Sequence, residues 1–252
     1  IVLGLLAGAA GDREIDQTDR GSGCIAPPRV RLCTGPNGVV TGQVIAASDK
    51  PIHDLKATVS QLEGPAVIPA SAIELRYART GWRRGHEKTL KFMELERFPD
   101  AAGAIHPVWI TVRVPDDARP GDYRGKVTVT ARDREPVDVP VELRVVDWRV
   151  PAPSQFMSFL DFIQSPQSVA MHYGVEMWSD AHWKLLDRTF RLLGEAGNDT
   201  LWITAQRQTH LGNEHAMIRF RREEGKLVPN LDITERDLAT TLTNLGPISV
   251  LT

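Results

Sequence analysis

The chain is short of cysteine and of aromatic residues, carries no excess charge of either sign, and has no apolar run long enough to cross a bilayer. Each shortage narrows what it can be. Cys24 and Cys33 are its two cysteines. Their spacing matches no common metal signature, and no second pair stands elsewhere to complete a zinc site. In an oxidising compartment the two could close a short disulfide loop; two independent thiols is the other reading. Lys and Arg total 30 against 32 Asp and Glu, a net charge of −2. The signs are interspersed, so no basic face for a phosphate backbone is indicated and nucleic acid is not an expected partner.

Other absences concern chemistry. His172 and His182 stand ten positions apart and His210 and His215 five apart, with no third ligand at a helical offset, so no metal is expected. No glycine-rich loop opens a helix, which leaves nucleotide binding unsupported, and no cofactor is expected. No serine sits in a Gly-x-Ser-x-Gly elbow. Two acidic doublets, Asp116-Asp117 and Glu223-Glu224, fall in turns rich in Pro or Gly. Solvated turns account for them better than catalysis does.

The longest apolar run is Ile1 to Ala10. A membrane-spanning helix needs about 20 such residues. The run suits the hydrophobic part of a secretory signal peptide, with Ala7-Gly8-Ala9 as the small-residue cleavage pattern. A buried N-terminal strand is the alternative. On the first reading residues 1–10 are a signal-peptide remnant, and the protein is expected to be secreted or periplasmic. Residues 11–34 then form a polar spacer containing the possible disulfide loop.

What is present falls into two halves with different periods. With 42% of residues hydrophobic and 25% charged, the chain has the composition of an ordinary globular protein. From 35 to 147 the pattern has a period of two. Leu55, Ala57 and Val59 alternate with Lys56, Thr58 and Ser60; Val108, Ile110, Val112 and Val114 alternate with Trp109, Thr111 and Arg113. Val127, Val129 and Ala131 continue the pattern, as do Val137, Val139, Val141, Leu143 and Val145. Many short alternating segments separated by turns predict an antiparallel β-sandwich. Ser48-Asp49-Lys50-Pro51 and Pro115 to Gly121 supply turn chemistry. After the second turn, Tyr123 is placed to bury its ring while its hydroxyl satisfies a backbone group.

Residues 148–154, with Pro151 and Pro153 bracketing Ala152, predict a stiff connector. From 155 to 252 the order is strand, helix, strand, helix, strand. Phe156–Ile163 is mostly apolar, as in a strand buried on both faces. Ser179 suits an N-cap, and Trp183, Leu186, Phe190 and Leu193 form one helical stripe. Leu201-Trp202-Ile203 predicts a second strand, Thr234–Leu245 a second helix, and Ile248–Leu251 a third strand. A hairpin is expected from Met217 to Val228. This βαβαβ series implies a parallel sheet, too short to close a barrel of eight. The fold class is therefore multidomain β plus α/β: an antiparallel sandwich followed by an incomplete (β/α)8 barrel, expected to expose strand edge and apolar surface.

Four stretches carry a family likeness. They are Gly42-Gln43-Val44-Ile45 with Ser48 to Ile52; Ile68-Pro69-Ala70-Ser71-Ala72-Ile73-Glu74-Leu75-Arg76-Tyr77; Pro120-Gly121-Asp122-Tyr123-Arg124-Gly125; and Gln164-Ser165-Pro166 through Trp178-Ser179-Asp180 to Gly212-Asn213-Glu214. In this order they resemble the glycoside hydrolase family 123-like proteins of bacteria, over about residues 35 to 245. The resemblance implies a sandwich before a (β/α)8 barrel and an exo-acting enzyme removing β-linked N-acetylgalactosamine. It also implies an adjacent Asp-Glu pair, the Asp orienting the substrate's acetamido group as nucleophile and the Glu serving as acid and then base. No Asp-Glu dipeptide occurs between Ile1 and Thr252. No catalytic residue carries over, and the chain is expected to be an inactive fragment.

What carries over is one wall of a site, at the carboxyl ends of the strands. Asp161, Gln164 and Ser165 follow the first expected strand. Gln206, His210, Asn213 and Glu214 follow the second. Such groups suit sugar hydroxyls, and Trp178 or Trp202 suits stacking on a pyranose face. The implied partner is a glycan containing N-acetylhexosamine. Each residue also has a plainer reading: Asp161 capping a turn, Trp202 in the core, His210 on an exposed loop, and Glu214 paired with Arg219 or Arg221. A second hypothesis makes the chain a non-catalytic surface protein whose sandwich binds glycan, but few exposed aromatics beyond Trp82 and Trp109 are available for it.

Overall fold

A computed structural model describes residues 29–78, 95–96, 103–209, 214–246 and 248–251. The expected signal remnant, Cys24, Trp82, His210 and Asn213 lie outside the described residues. The chain divides into two compact units, Ile1–Val150 and Pro151–Thr252, the break falling within the expected connector.

Among the described residues the first unit holds ten strands: β1 (Val30–Thr34), β2 (Val39–Ile52), β3 (Lys56–Val59), β4 (Leu62–Glu63), β5 (Val67–Ile68), β6 (Ile73–Ala78), β7 (Leu95–Glu96), β8 (Gly103–Arg113), β9 (Gly121–Thr130) and β10 (Val137–Val145). One sheet has the order β1-β10-β9-β4-β5, with β3 also on β9; the other is β2-β8-β6-β7. The alternation puts one face of each sheet into a shared core. Val44, Ile110, Val112, Tyr123, Val127 and Val139 are fully buried there, while Lys56, Arg113, Arg124 and Lys126 face water. This is the sandwich arrangement the period-two pattern predicts.

Two details differ from expectation. Residues 30–34, expected to belong to a spacer, form β1, which runs parallel to β10 with Val30 opposite Val141. The sheet is thus not purely antiparallel. Val30 and Leu32 are buried while Arg31 and Cys33 are exposed, a pattern too short to stand out between proline-rich neighbours. Ser48 to Pro51 does not turn the chain. The strand β2 continues through it, and its register on β8 slips between Ala47 and Ile52. The turn-forming residues are accommodated in a bulge, with the Lys50 amide donating to Ser48 Oγ at 3.2 Å.

The corner before β9 is fixed by Tyr123. Its ring is fully buried, and its hydroxyl donates to the Arg119 carbonyl at 2.8 Å, as the sequence predicts. Gly64 lies against that ring: a Cβ there would sit 2.6 Å from the Asp122 carbonyl oxygen and 2.9 Å from the tyrosine ring. Only glycine admits so close an approach. Asp116 in the same turn is exposed and bonds Arg149, which holds its carboxyl below the usual carboxylate range. The doublet is a solvated turn.

The second unit contains α1 (Pro166–Tyr173), α2 (Asp180–Ala196), β11 (Thr200–Leu201), the hairpin β12 (Arg219–Glu223) and β13 (Lys226–Asn230), α3 (Asp232–Leu245) and β14 (Val250–Leu251). Ser179 caps α2 by accepting from the His182 amide at 3.3 Å, and Gly197 ends it in the left-handed region at φ 86°. Trp183, Leu186 and Phe190 of α2 pack with Leu201 and Leu245 in a second core. β11 and β14 pair in parallel, with Thr200 opposite Val250. Helix α1 lies outside the strand-helix order the sequence predicts, although Ser165 before Pro166 is an N-cap followed by proline at the first helical position.

Phe156–Ile163 departs most from expectation. It forms no strand, and Phe156, Met157, Phe159, Phe162 and Ile163 are exposed. A backbone bond from the Asp199 amide to the Leu160 carbonyl, at 3.3 Å, ties it to the residues just before β11. Two side chains there add to it: Asp199 Oδ1 accepts from the Leu160 amide at 3.2 Å and Asn198 Oδ1 from the Phe162 amide at 2.8 Å. The residues have the composition of a doubly covered strand, but among the described residues nothing covers their outer side. A single parallel pair is what the structure shows of the expected barrel segment.

Candidate functional site

Ligands of open α/β sheets bind beyond the carboxyl ends of the strands, so the loop after β11 is where a site is expected. The Met217 amide donates to the Thr204 carbonyl at 2.9 Å and pins the far end of this loop. Between them opens a cleft of about 760 Å³, lined by Arg207, Gln208, Glu214, His215, Arg219 and Phe220 among others. A narrower depression beside it is bounded by Gln164, Gln167, Trp178, Thr204 and Met217, and shares His215. The Glu214 amide donates to Gln167 Oε1 at 2.6 Å, fastening the cleft's edge to α1.

The expected contact residues separate into different roles. Glu214 lines the cleft and is exposed. Arg221, named as a possible partner for it, pairs instead with Glu223 at 2.7 Å. Among the described residues Arg219 holds no carboxylate either. Gln206 is exposed in the same loop. Gln164 is buried, and its amide is fully engaged: Nε2 donates to the Phe162 and Thr200 carbonyls, the latter at 3.1 Å, and Oε1 accepts from the Trp202 amide at 2.8 Å. It is a tie between the 160–164 segment and β11. Ser165 serves as the α1 cap. Asp161 Oδ1 accepts from Trp202 Nε1 at 2.6 Å, which takes the indole N–H and one of the two carboxylate oxygens of this exposed residue.

Trp178 packs its ring 5.4 Å from those of His182 and Trp183, and its amide donates to His182 Nδ1 at 3.0 Å. That acceptor role puts the imidazole proton on Nε2, which donates to the Pro166 carbonyl at 2.9 Å. Burial holds the His182 pKa below its ordinary value, so the ring stays neutral and pins α1 to α2. One carboxyl is strongly perturbed. Asp237 on α3 is fully buried with, among the described residues, no hydrogen-bond partner on either oxygen, and burial pushes its pKa up to about 7. It has no access to the cleft's solvent and is not an acid catalyst there. Arg207, Gln208 and Phe220 carry no signal in the sequence, and Arg219 and His215 enter it only as a possible partner of Glu214 and in a rejected metal spacing, because loop residues gain meaning only once the loop folds back on the hairpin.

The comparisons with known proteins bear on the same segments. The family described as Glycoside hydrolase 123 N-terminal domain matches residues 37–131, and the family described as Glycoside hydrolase 123, catalytic domain matches residues 164–238. The two follow in order, and the second spans Gln164, β11 and the whole cleft. The chain is a glycoside hydrolase 123-like protein.

A solved structure of similar fold is the family 123 glycoside hydrolase from Clostridium perfringens, described as revealing the details of glycolipid glycan hydrolysis. It is 15% identical with a TM-score of 0.74, over 87% of this chain and 41% of that one. At this identity it shows the fold. The glycoside hydrolase 123-like chain spans about two fifths of its length. A Bacteroides ovatus GH5 xyloglucanase aligns at 14% identity over 88% of this chain and 43% of its own, with a TM-score of 0.24. MyfA, the major Myf fimbrial subunit of Yersinia enterocolitica, aligns at 9% over 48% and 95%, with a TM-score of 0.30. Neither supports an argument at such scores. No curated protein matches the chain.

Proposed function

We propose that these residues are the sandwich and the opening βα units of an exported glycoside hydrolase that removes β-linked N-acetylgalactosamine from glycans. The observation that carries the reading is the ordered pair of family 123 matches, with an open polar cleft beyond the carboxyl end of β11 inside the second. The chain covers 41% of the Clostridium perfringens structure and contains no Asp-Glu dipeptide. On this reading the acidic pair lies on chain beyond these residues, and the 252 residues alone do not turn over substrate. The cleft supplies hydrogen-bonding groups to the sugar, Glu214 accepting from hydroxyls and Gln208 doing either.

The first unit serves as support. Its exposed aromatic among the described residues is Trp148, which is too little for a sugar-stacking face, and no observation favours a binding sandwich over a buttress. The coding sequence past codon 252 provides the test. Further βα repeats with an Asp-Glu pair at a strand end are expected; their absence would remove the enzymatic reading.

A further inference from the structure

The cleft after β11 is more positive than a neutral sugar requires. Arg207 and Arg219 both line it, and among the described residues neither guanidinium holds a carboxylate. Several arginines elsewhere do: Arg132 pairs with Asp54, Arg144 with Asp122 and Arg149 with Asp116. Arg124 and Arg191, like the cleft pair, hold none among the described residues but do not line the cleft. Within β12, Arg221 bonds Glu223 at 2.7 Å, while among the described residues Arg219 and Arg222 hold no carboxylate, and of these two only Arg219 lines the cleft. Glu214 shares the cleft with the two arginines yet makes no ion pair with either. The hairpin thus neutralises Arg221 and presents Arg219 to the cleft.

We propose that this cleft is a subsite for a negatively charged sugar unit, one bearing a sulfate or a carboxylate, held by Arg207 and Arg219. The guanidinium fork matches the planar carboxylate and the sulfate edge with two parallel hydrogen bonds, a geometry that a lysine would not supply. Phe220, 64% exposed at the cleft wall, offers an apolar face for a pyranose ring. Glu214 and Gln208 remain for its hydroxyls. An uncharged glycan would use the ring face and the hydroxyl contacts but leave both guanidinium groups to water. The proposal rests on the glycan reading above and narrows its substrate class to acidic glycans.

Calorimetric titration of the 252-residue chain with four probes tests it: N-acetylgalactosamine, N-acetylgalactosamine 6-sulfate, glucuronic acid and inorganic sulfate. A charged sugar is expected to bind about tenfold tighter than the neutral one, with the preference weakening as salt rises. The sulfated sugar and the uronate tell the two anion sources apart. Arg207→Gln and Arg219→Gln are each expected to erase the preference. Arg191→Gln, an equal charge change on exposed α2, is expected to leave it intact. Equal binding of charged and neutral sugars overturns the proposal while the glycan reading stands. Binding of no sugar overturns both. Inorganic sulfate matching the sulfated sugar overturns it too, since the site would then hold an adventitious ion only.

Discussion

Gln164 Oε1 accepts the Trp202 backbone N–H at 2.8 Å, so a side chain stands where a neighbouring strand's carbonyl would stand in a complete sheet. With Nε2 on two carbonyls of its own and the adjacent segment, one amide joins residues 38 positions apart. Replacing it with an apolar side chain of similar size strands the half-buried Trp202 donor. Gln164→Leu is expected to destabilise the second unit by roughly 1–3 kcal/mol, read as a lower denaturation midpoint by tryptophan fluorescence. An unchanged midpoint would show that water replaces the amide.

Asp237 predicts a pH dependence with a definite sign. Its carboxyl titrates at about 7 in the fold against 3.8 for the ordinary group. The stability it contributes is complete below about 3.8, drains away as pH rises towards 7, and is flat above; the loss amounts to about 1.4 kcal/mol per unit between the two values. Of the charged groups on α2 and α3, Asp180 pairs with Arg236 and Asp187 accepts from Asn244. Asp237→Asn is expected to abolish the decline in urea denaturation across this range. His182 then leaves the opposite slope, because its depressed pKa makes stability fall as pH drops below 6.5. A variant that still loses stability towards pH 7 would contradict the assignment.

Tyr123→Phe keeps the buried ring and removes the bond to the Arg119 carbonyl. A loss of about 0.5–1.5 kcal/mol is expected, seen as a lower thermal midpoint of the first unit. Gly64→Ala is expected to do more damage, since its Cβ would meet backbone at 2.6 Å, with nothing flexible to yield.

The exposed row Phe156, Met157, Phe159, Phe162 and Ile163 is a contiguous apolar surface of the kind that attracts partners or aggregates. The chain is expected to bind an environment-sensitive hydrophobic dye, and Phe159→Ser with Phe162→Ser to reduce the signal. A native chain that leaves the dye dark would mean the segment is covered in solution.

Periodicity made the sandwich legible because burial alternates strictly along β9 and β10, and Ser179 with the Trp183 stripe made α2 legible for the same reason. Local chemistry misled at Ser48 to Pro51, where turn-forming residues sit in a bulge, since only the partner strand decides between turn and bulge. It misled again at Phe156–Ile163: an apolar run states what a segment would bury, not whether a cover is present. The site was the least legible. Gln164 and Asp161 have the right chemistry for sugar, but Trp202 engages both. Arg207 and Arg219 gained their place only through the hairpin's return.

On the proposed reading, these residues open a family 123-like hydrolase whose acidic pair lies on later chain. Hydrolysis of p-nitrophenyl N-acetyl-β-galactosaminide tests it most directly, comparing the polypeptide encoded by the complete reading frame with residues 1–252 alone. Release of nitrophenol by the complete polypeptide and none by the 252 residues is the predicted result. Turnover by the 252 residues, or none by the complete polypeptide, would contradict it.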